Sequence, residues 1–175
     1  MSTAMNQSAV QNQPEADFER PAKPAESPGF LLWRVTLSWQ RSIAAALKPH
    51  DLTHVQFVLL AGAGWLGAQE GPPTQRHLAD HSGTDPMMTS QVLRTLESKG
   101  LVERIPDLVD TRAKRVQVTE AGATLLEKAM YAVEKADSEF FAPVPRNAAL
   151  AVLYALSDEW GQPLASGLPS NRKED

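Results

Sequence analysis

The chain has no cysteine, which excludes disulfides, thiolate metal sites and thiol redox switches. No apolar run is long enough to span a bilayer. The N-terminus has no basic segment followed by an apolar one, so the sequence predicts no signal peptide, no membrane partner and a cytoplasmic protein. There is no cationic excess either. Seventeen Lys and Arg stand against 21 Asp and Glu, a net charge of -4, in 175 residues. Such a balance argues against a generally basic nucleic-acid binder. Neither G-x-S-x-G, nor a phosphate-cradling glycine loop, nor H-E-x-x-H occurs, and so neither an enzyme nor a cofactor is expected.

What is present is unevenly placed. Residues 1–73 carry 5 Lys/Arg and 6 Asp/Glu, residues 74–118 carry 7 and 6, and residues 119–175 carry 5 and 9. The middle segment alone has a positive balance, and Arg104, Arg112, Lys114 and Arg115 gather there within twelve residues. Residues 1–27 are rich in Pro, Gln, Ala, Ser and Glu, which predicts a tail that cannot bury enough surface to offset its ordering. Residues 161–175 read as a second tail.

Between the tails the pattern is mostly helical. Leu32, Val35, Trp39, Ile43 and Ala46 form one apolar stripe, which Lys48-Pro49 ends. Thr53 with Gln56 makes a capping box for a helix whose apolar residues continue at Val55, Leu59, Gly62 and Leu66. Thr74 caps a short helix from Gln75 to His81. Asp85 followed by Pro86 opens another, which runs to Lys99 and stops at Gly100. Leu101–Ile105 and Lys114–Val118 are short, partly β-branched runs separated by turn residues, a hairpin pattern. Thr119 caps a long helix to about Phe140, Pro143 and Pro145 break it, and Leu150, Leu153, Leu156 and Trp160 mark a last one. The predicted fold is mainly α with a small β-hairpin wing: a winged helix-turn-helix plus a helical dimerisation bundle. Its outer helices are too apolar to stand alone, which calls for a second copy of the chain.

The residues also resemble a known family. "LTHVQFVLL" is similar to the opening of the second helix in the MarR family of dimeric winged-helix transcription regulators. "LRTLESKGLVERIPDLVDTRAKRVQVTEAG" resembles that family's most recognisable block. The matching positions are Leu96, Glu97, Lys99, Gly100, Leu101, Val102 and Arg104, then Asp110 and Arg112 in the wing, then Val118, Thr119 and Gly122. Val118 replaces the family's usual Leu, and Ser90-Gln91 stands where Thr-Arg is frequent. The resemblance implies one domain over residues 28–160, with dimerisation helices at 28–48 and 119–160 around a DNA-binding lobe at 53–118. It also implies a structural role for Asp110, pairing with Arg104 or Arg112 to shape the loop.

The candidate DNA contacts follow from the two basic elements. On the helix from Asp85 to Lys99, Val92, Leu93 and Leu96 face inward. Met87, Thr89, Ser90, Gln91 and Arg94 are assigned to the groove, where Gln suits adenine, Arg suits guanine and Met a thymine methyl. On the hairpin, Arg112 at the tip suits a narrow minor groove. Arg104, Lys114 and Arg115 lie along its edges as further DNA contacts, and Lys114 and Arg115 suit phosphates, which position without reading sequence. On a hairpin without such neighbours, the same charges would only keep an edge soluble.

The expected function is a homodimeric, sequence-specific DNA-binding regulator, a repressor released from a pseudo-palindromic operator by an effector. The resemblance implies a small aromatic or phenolic effector held between the lobes, with Trp39, Arg41, His54 and Phe57 as its candidate contacts. The same aromatics at helical spacing also suit a plain core. Two rivals stand beside this reading. One is a winged-helix dimer that binds a protein partner through the hairpin. The other is a metal-responsive regulator using His50/His54 or His77/His81, each pair supplying half a zinc site.

Overall fold

The computed structural model describes residues 23–107 and 114–158. The chain divides into two compact units, Met1–Thr36 and Leu37–Asp175. In the first, Pro24–Glu26 forms a single 3-10 turn inside the expected tail, and helix α1 (Pro28–Leu47) begins. Phe30, Leu31, Leu32, Trp33 and Val35 are all exposed.

The second unit holds the rest of α1, then α2 (His54–Glu70), α3 (Gln75–Ser82), α4 (Pro86–Ser98), β1 (Val102–Pro106), β2 (Lys114–Val118), α5 (Glu120–Phe141) and α6 (Arg146–Asp158). The start signals in the sequence all form. Thr53 Oγ1 accepts from the Gln56 N–H at 3.2 Å, while Gln56 Oε1 accepts from the Thr53 N–H at 3.1 Å. Thr74 Oγ1 accepts from the His77 N–H, and the Asp85 carboxylate accepts from the Met87 and Met88 N–H groups. Each satisfies donors that the first helical turn leaves unpaired.

Gly100 ends the α4 segment at φ +70°, a left-handed conformation that a Cβ disfavours. Thr119 then joins both sides of the wing. Its hydroxyl donates to the Gly100 carbonyl at 2.7 Å and accepts from the Gly122 N–H at 3.0 Å.

Some boundaries differ from the sequence reading. The first strand is Val102–Pro106, one residue later than the pattern suggested. The Leu101 N–H is engaged by the Leu96 carbonyl at the end of α4, so Leu101 belongs to the turn. Lys48–His50 does not simply break the chain but continues α1 as a 3-10 turn, which Asp51 closes at φ 51°. Trp160 lies outside the described residues.

The hairpin pairs Val102 with Val118 and Arg104 with Val116, antiparallel. Its outer edge is covered, since the Val116 N–H donates to the Pro73 carbonyl at 2.8 Å and Thr74 bridges Arg115. Covering that edge removes a template for wrong pairing. α2 lies at the centre. It buries Leu59, Leu60, Ala63 and Leu66 against Ile43, Leu47, Leu78, Leu93, Leu96, Val102 and Val116. Apolar residues therefore occupy more than the single stripe read from Val55, Leu59, Gly62 and Leu66, as expected of a helix with neighbours on several sides.

Candidate functional site

The exposed face of α4 is set by what the opposite face buries. Leu93 and Leu96 are fully covered, which turns Gln91 and Arg94 outward and leaves Met87 72% exposed. Arg94 Nη2 donates to Ser90 Oγ at 3.2 Å, so these two form one polar group on the helix surface.

Thr89 requires a correction. It is wholly buried. Its hydroxyl donates to the Asp85 carbonyl at 2.9 Å and shares a 2.8 Å hydrogen bond with Thr84. Thr89 therefore fixes the start of α4 and does not present its side chain to a ligand. The signal was in the spacing, because 89, 93 and 96 fall on one helical face.

The wing cations divide by their partners. Arg104 is bound to Glu97 of α4 through Nε and Nη2 on one carboxylate oxygen. These hydrogen bonds are the main reason the Glu97 carboxyl is held below the ordinary glutamate value of 4.5; burial opposes the shift, and the charges of Arg104 and Lys114 reinforce it. Arg115 Nε pairs with Asp107, which is 4% exposed, and its Nη1 donates to the Pro72 carbonyl at 2.8 Å. Arg104 and Arg115, both expected from the sequence to contact DNA, thus fasten the wing to α4 and to the loop between α2 and α3. Lys99 is likewise engaged, with Nζ on Asp51 Oδ2 at 2.9 Å. Arg112 and Asp110 lie outside the described residues.

Lys114 remains exposed at the start of β2. Among the described residues, Arg76, Arg94 and Lys114 of this segment form no ion pair with a carboxylate. Arg76 was missed from the sequence. It sits in the first turn of α3, where a cation opposes the helix dipole, so its placement does nothing for that helix. This is the signal that could have found it. With Arg94 and Lys114 it supplies uncompensated positive charge among the described residues of the helix-turn-helix and wing.

The four proposed effector contacts do not form one site. Trp39 and His54 do meet, with ring centroids 5.0 Å apart and an edge-to-face angle of 75°. Phe57 is a core residue, 7% exposed, and Arg41 is exposed. Trp39 Nε1 donates to Asp137 Oδ1 of α5 at 2.7 Å, so a carboxylate of the protein already stands beside this indole. An anionic ligand there would meet like charge.

Burial lowers the His54 pKa below its ordinary 6.5, and the charge of Asp137 opposes that shift. As pH falls below 6.5 the unfolded chain takes up this proton before the folded chain does, so stability declines until the lowered folded value is passed. His54→Gln is expected to remove that part of the slope, which thermal unfolding of both proteins between pH 5 and 7.5 would check. An unchanged difference in melting temperature across that range would refute it.

The first histidine pair is divided, while the second lies together on α3. His50 lies in the 3-10 turn, while His54 opens α2. His81 stacks on Trp65, with centroids 5.2 Å apart and planes at 11°, and His77 is exposed. Among the described residues, no three His, Asp or Glu side chains gather in a metal-holding group. Nor, among those residues, is any helix long and apolar enough to cross a membrane.

Residues 52–114 match the sequence model of the MarR family. Over 119 residues the chain is 48% identical to the uncharacterized HTH-type transcriptional regulator YdcH of Bacillus subtilis, which covers 68% of this chain and 81% of that protein. A crystal structure of mutant MarR from E. coli complexed with operator DNA superposes with a TM-score of 0.68 at 26% identity, covering 75% of this chain and 91% of that one. CouR from Rhodococcus jostii, bound to p-coumaroyl-CoA, superposes with a TM-score of 0.70 at 25% identity, covering 85% and 99%.

Proposed function

Because the chain belongs to the MarR family of winged helix-turn-helix transcriptional regulators, we propose that it acts as a homodimeric repressor that reads a pseudo-palindromic operator. One observation carries the reading. The face of α4 opposite its buried leucines presents Met87, Ser90, Gln91 and Arg94, and Arg94 has no carboxylate partner among the described residues. In the major groove, Gln91 and Arg94 suit bidentate contacts to adenine and guanine, and Met87 suits a thymine methyl. Lys114 and Arg76 contact phosphates on either side and fix the register. Arg112, at the wing tip by sequence, enters the adjacent minor groove. The solved relative bound to operator DNA supports this docking.

The exposed apolar surface supports dimerisation. Phe30, Leu32 and Trp33 of α1, and Val152, Leu153, Tyr154 and Leu156 of α6, are exposed at 41–61%. A second copy buries them and sets two recognition helices one DNA turn apart. Occupied operator DNA excludes polymerase, and an effector that prefers another helix spacing releases it. A relative bound to an acyl-CoA ligand supports release by a small molecule. The regulator works in the cytoplasm, where its operator lies.

The test is a fluorescence-anisotropy titration of the purified protein with the DNA flanking its own gene, against scrambled DNA of equal length, at two salt concentrations. Preference for its own DNA by ~10³-fold or more, weakening steeply with salt, is expected. Equal binding to both, no tighter than ~10⁻⁴–10⁻⁶ M, would overturn the operator assignment and favour a protein partner for the wing.

A further inference from the structure

A cleft of about 870 Å³ lies in the second unit between α2, β2 and α5. Its size lies in the range of small-molecule sites. None of Trp39, Arg41, His54 or Phe57 lines it. We propose that this cleft binds an organic cation with a bulky apolar body, and that the cation is the ligand through which DNA binding is regulated. The second half of the proposal rests on the regulator reading above; the first does not.

The floor is shaped for an occupant. A Cβ added at Gly67 would meet nothing within 4 Å, so this turn of α2 leaves open space above its backbone. Val118, Leu126 and Met130 make the walls apolar. The charge in the cleft has one sign. Glu127 and Glu134 lie seven residues apart on α5, about two turns, and so on the same helix face. No Lys, Arg or His is among the described residues that line the cleft, and neither carboxylate has an ion-pair partner among the described residues. Tyr131, between them in sequence, also lines the cleft and is 74% exposed, which leaves an aromatic ring accessible to a cation. An aromatic anion of the kind the family resemblance suggests would meet two carboxylates here, and a third beside Trp39 in Asp137.

The cleft also touches the fastening of the wing. Pro72 lines it, and the Pro72 carbonyl accepts from Arg115 Nη1 at 2.8 Å. Val116 lines it as well, with its N–H on the Pro73 carbonyl. A ligand seated against Pro72 and Val116 therefore touches two residues whose backbone groups help hold β2 to the loop before α3. If it fits one arrangement of that joint better than the other, it shifts DNA affinity by the difference.

The test uses two ions of the same shape and opposite charge. Full-length protein is titrated by calorimetry with tetraphenylphosphonium and with tetraphenylborate. Saturable binding of the cation is expected, with the borate weaker by about tenfold or more. Glu127→Gln combined with Glu134→Gln is expected to remove that preference. Gly67→Leu, which fills the open floor, is expected to abolish cation binding while the circular dichroism spectrum stays helical. Equal affinity for the two ions, a preference that survives the double substitution, or no binding at all would overturn the assignment. No binding is also the result if a second copy of the chain fills the cleft. The own-gene DNA titration is then repeated with tetraphenylphosphonium present. Specific DNA binding that the seated cation leaves unchanged refutes the regulatory half alone. Cation binding without any preference for own-gene DNA keeps the cleft and refutes the operator reading.

Discussion

Gly122→Ala is expected to be the most destabilising single methyl in this protein. A Cβ at Gly122 would lie 2.0 Å from the Leu101 carbonyl oxygen and 2.9 Å from its carbon. No side-chain rotation relieves this, because the obstacle is backbone. That carbonyl is itself held in place, accepting from the Thr119 N–H at 3.1 Å. The first turn of α5 must therefore separate from the turn after α4, and the Thr119 bonds to Gly100 and Leu101 lengthen with it. Helix propensity alone would favour alanine by about 1 kcal/mol. The steric term exceeds this and should leave a net loss of about 3 kcal/mol or more. For a chain of this size that lowers the melting temperature by about 6–12 °C. Gly67→Ala is the internal control. Its Cβ enters open space, so the propensity term is unopposed and the melting temperature should rise slightly. Equal behaviour of the two variants in thermal unfolding would refute the close-contact account.

The second large effect separates a wing cation that positions from one that binds. Arg115→Ala removes a guanidinium from the buried Asp107 carboxylate and from the Pro72 carbonyl. Breaking a fully buried pair costs about 3–5 kcal/mol, and partial exposure of the arginine reduces this to about 2 kcal/mol. DNA affinity should fall at every salt concentration while the slope of log affinity against log salt stays unchanged. Lys114→Ala should leave the melting temperature unchanged and reduce that slope by about 1, the signature of one lost phosphate contact. Arg115→Lys sharpens the comparison. It keeps the charge but cannot reproduce the planar fork that reaches two acceptors, so it should behave like Arg115→Ala. A lysine variant with normal stability and DNA affinity would show that Arg115 acts through its charge on DNA.

The sequence's legibility followed the range of the interactions involved. Caps could be read because they join residues two or three positions apart. Thr53 with Gln56, Asp85 with Met87 and Met88, and Thr119 with Gly122 are local bonds between residue types that admit few alternatives. The β-hairpin was legible for a similar reason, since its strands adjoin in sequence, and the single-residue shift at Leu101 came from a bond back to Leu96. The inward face of α4 was equally plain from its leucines. Thr89 went to the wrong side only because its residue type outweighed its position at the spacing of Leu93 and Leu96.

By itself, then, the sequence determined the order of helices and hairpin, the caps that open α2, α3, α4 and α5, and the resemblance to the family. All of these rest on local patterns of hydrogen bonding and apolar spacing. Only the tertiary structure decided which cations remain available. Arg104, Arg115 and Lys114 look alike along the chain, but Glu97 binds the first and Asp107 with Pro72 binds the second, while the third stays exposed. Tertiary structure also put Asp137, 98 residues from Trp39, beside that indole. It opened the cleft with its two glutamates as well. The physical reason is that a charge's role depends on what folding brings within a few ångströms of it, and those partners lie too far along the chain for any local pattern to reveal.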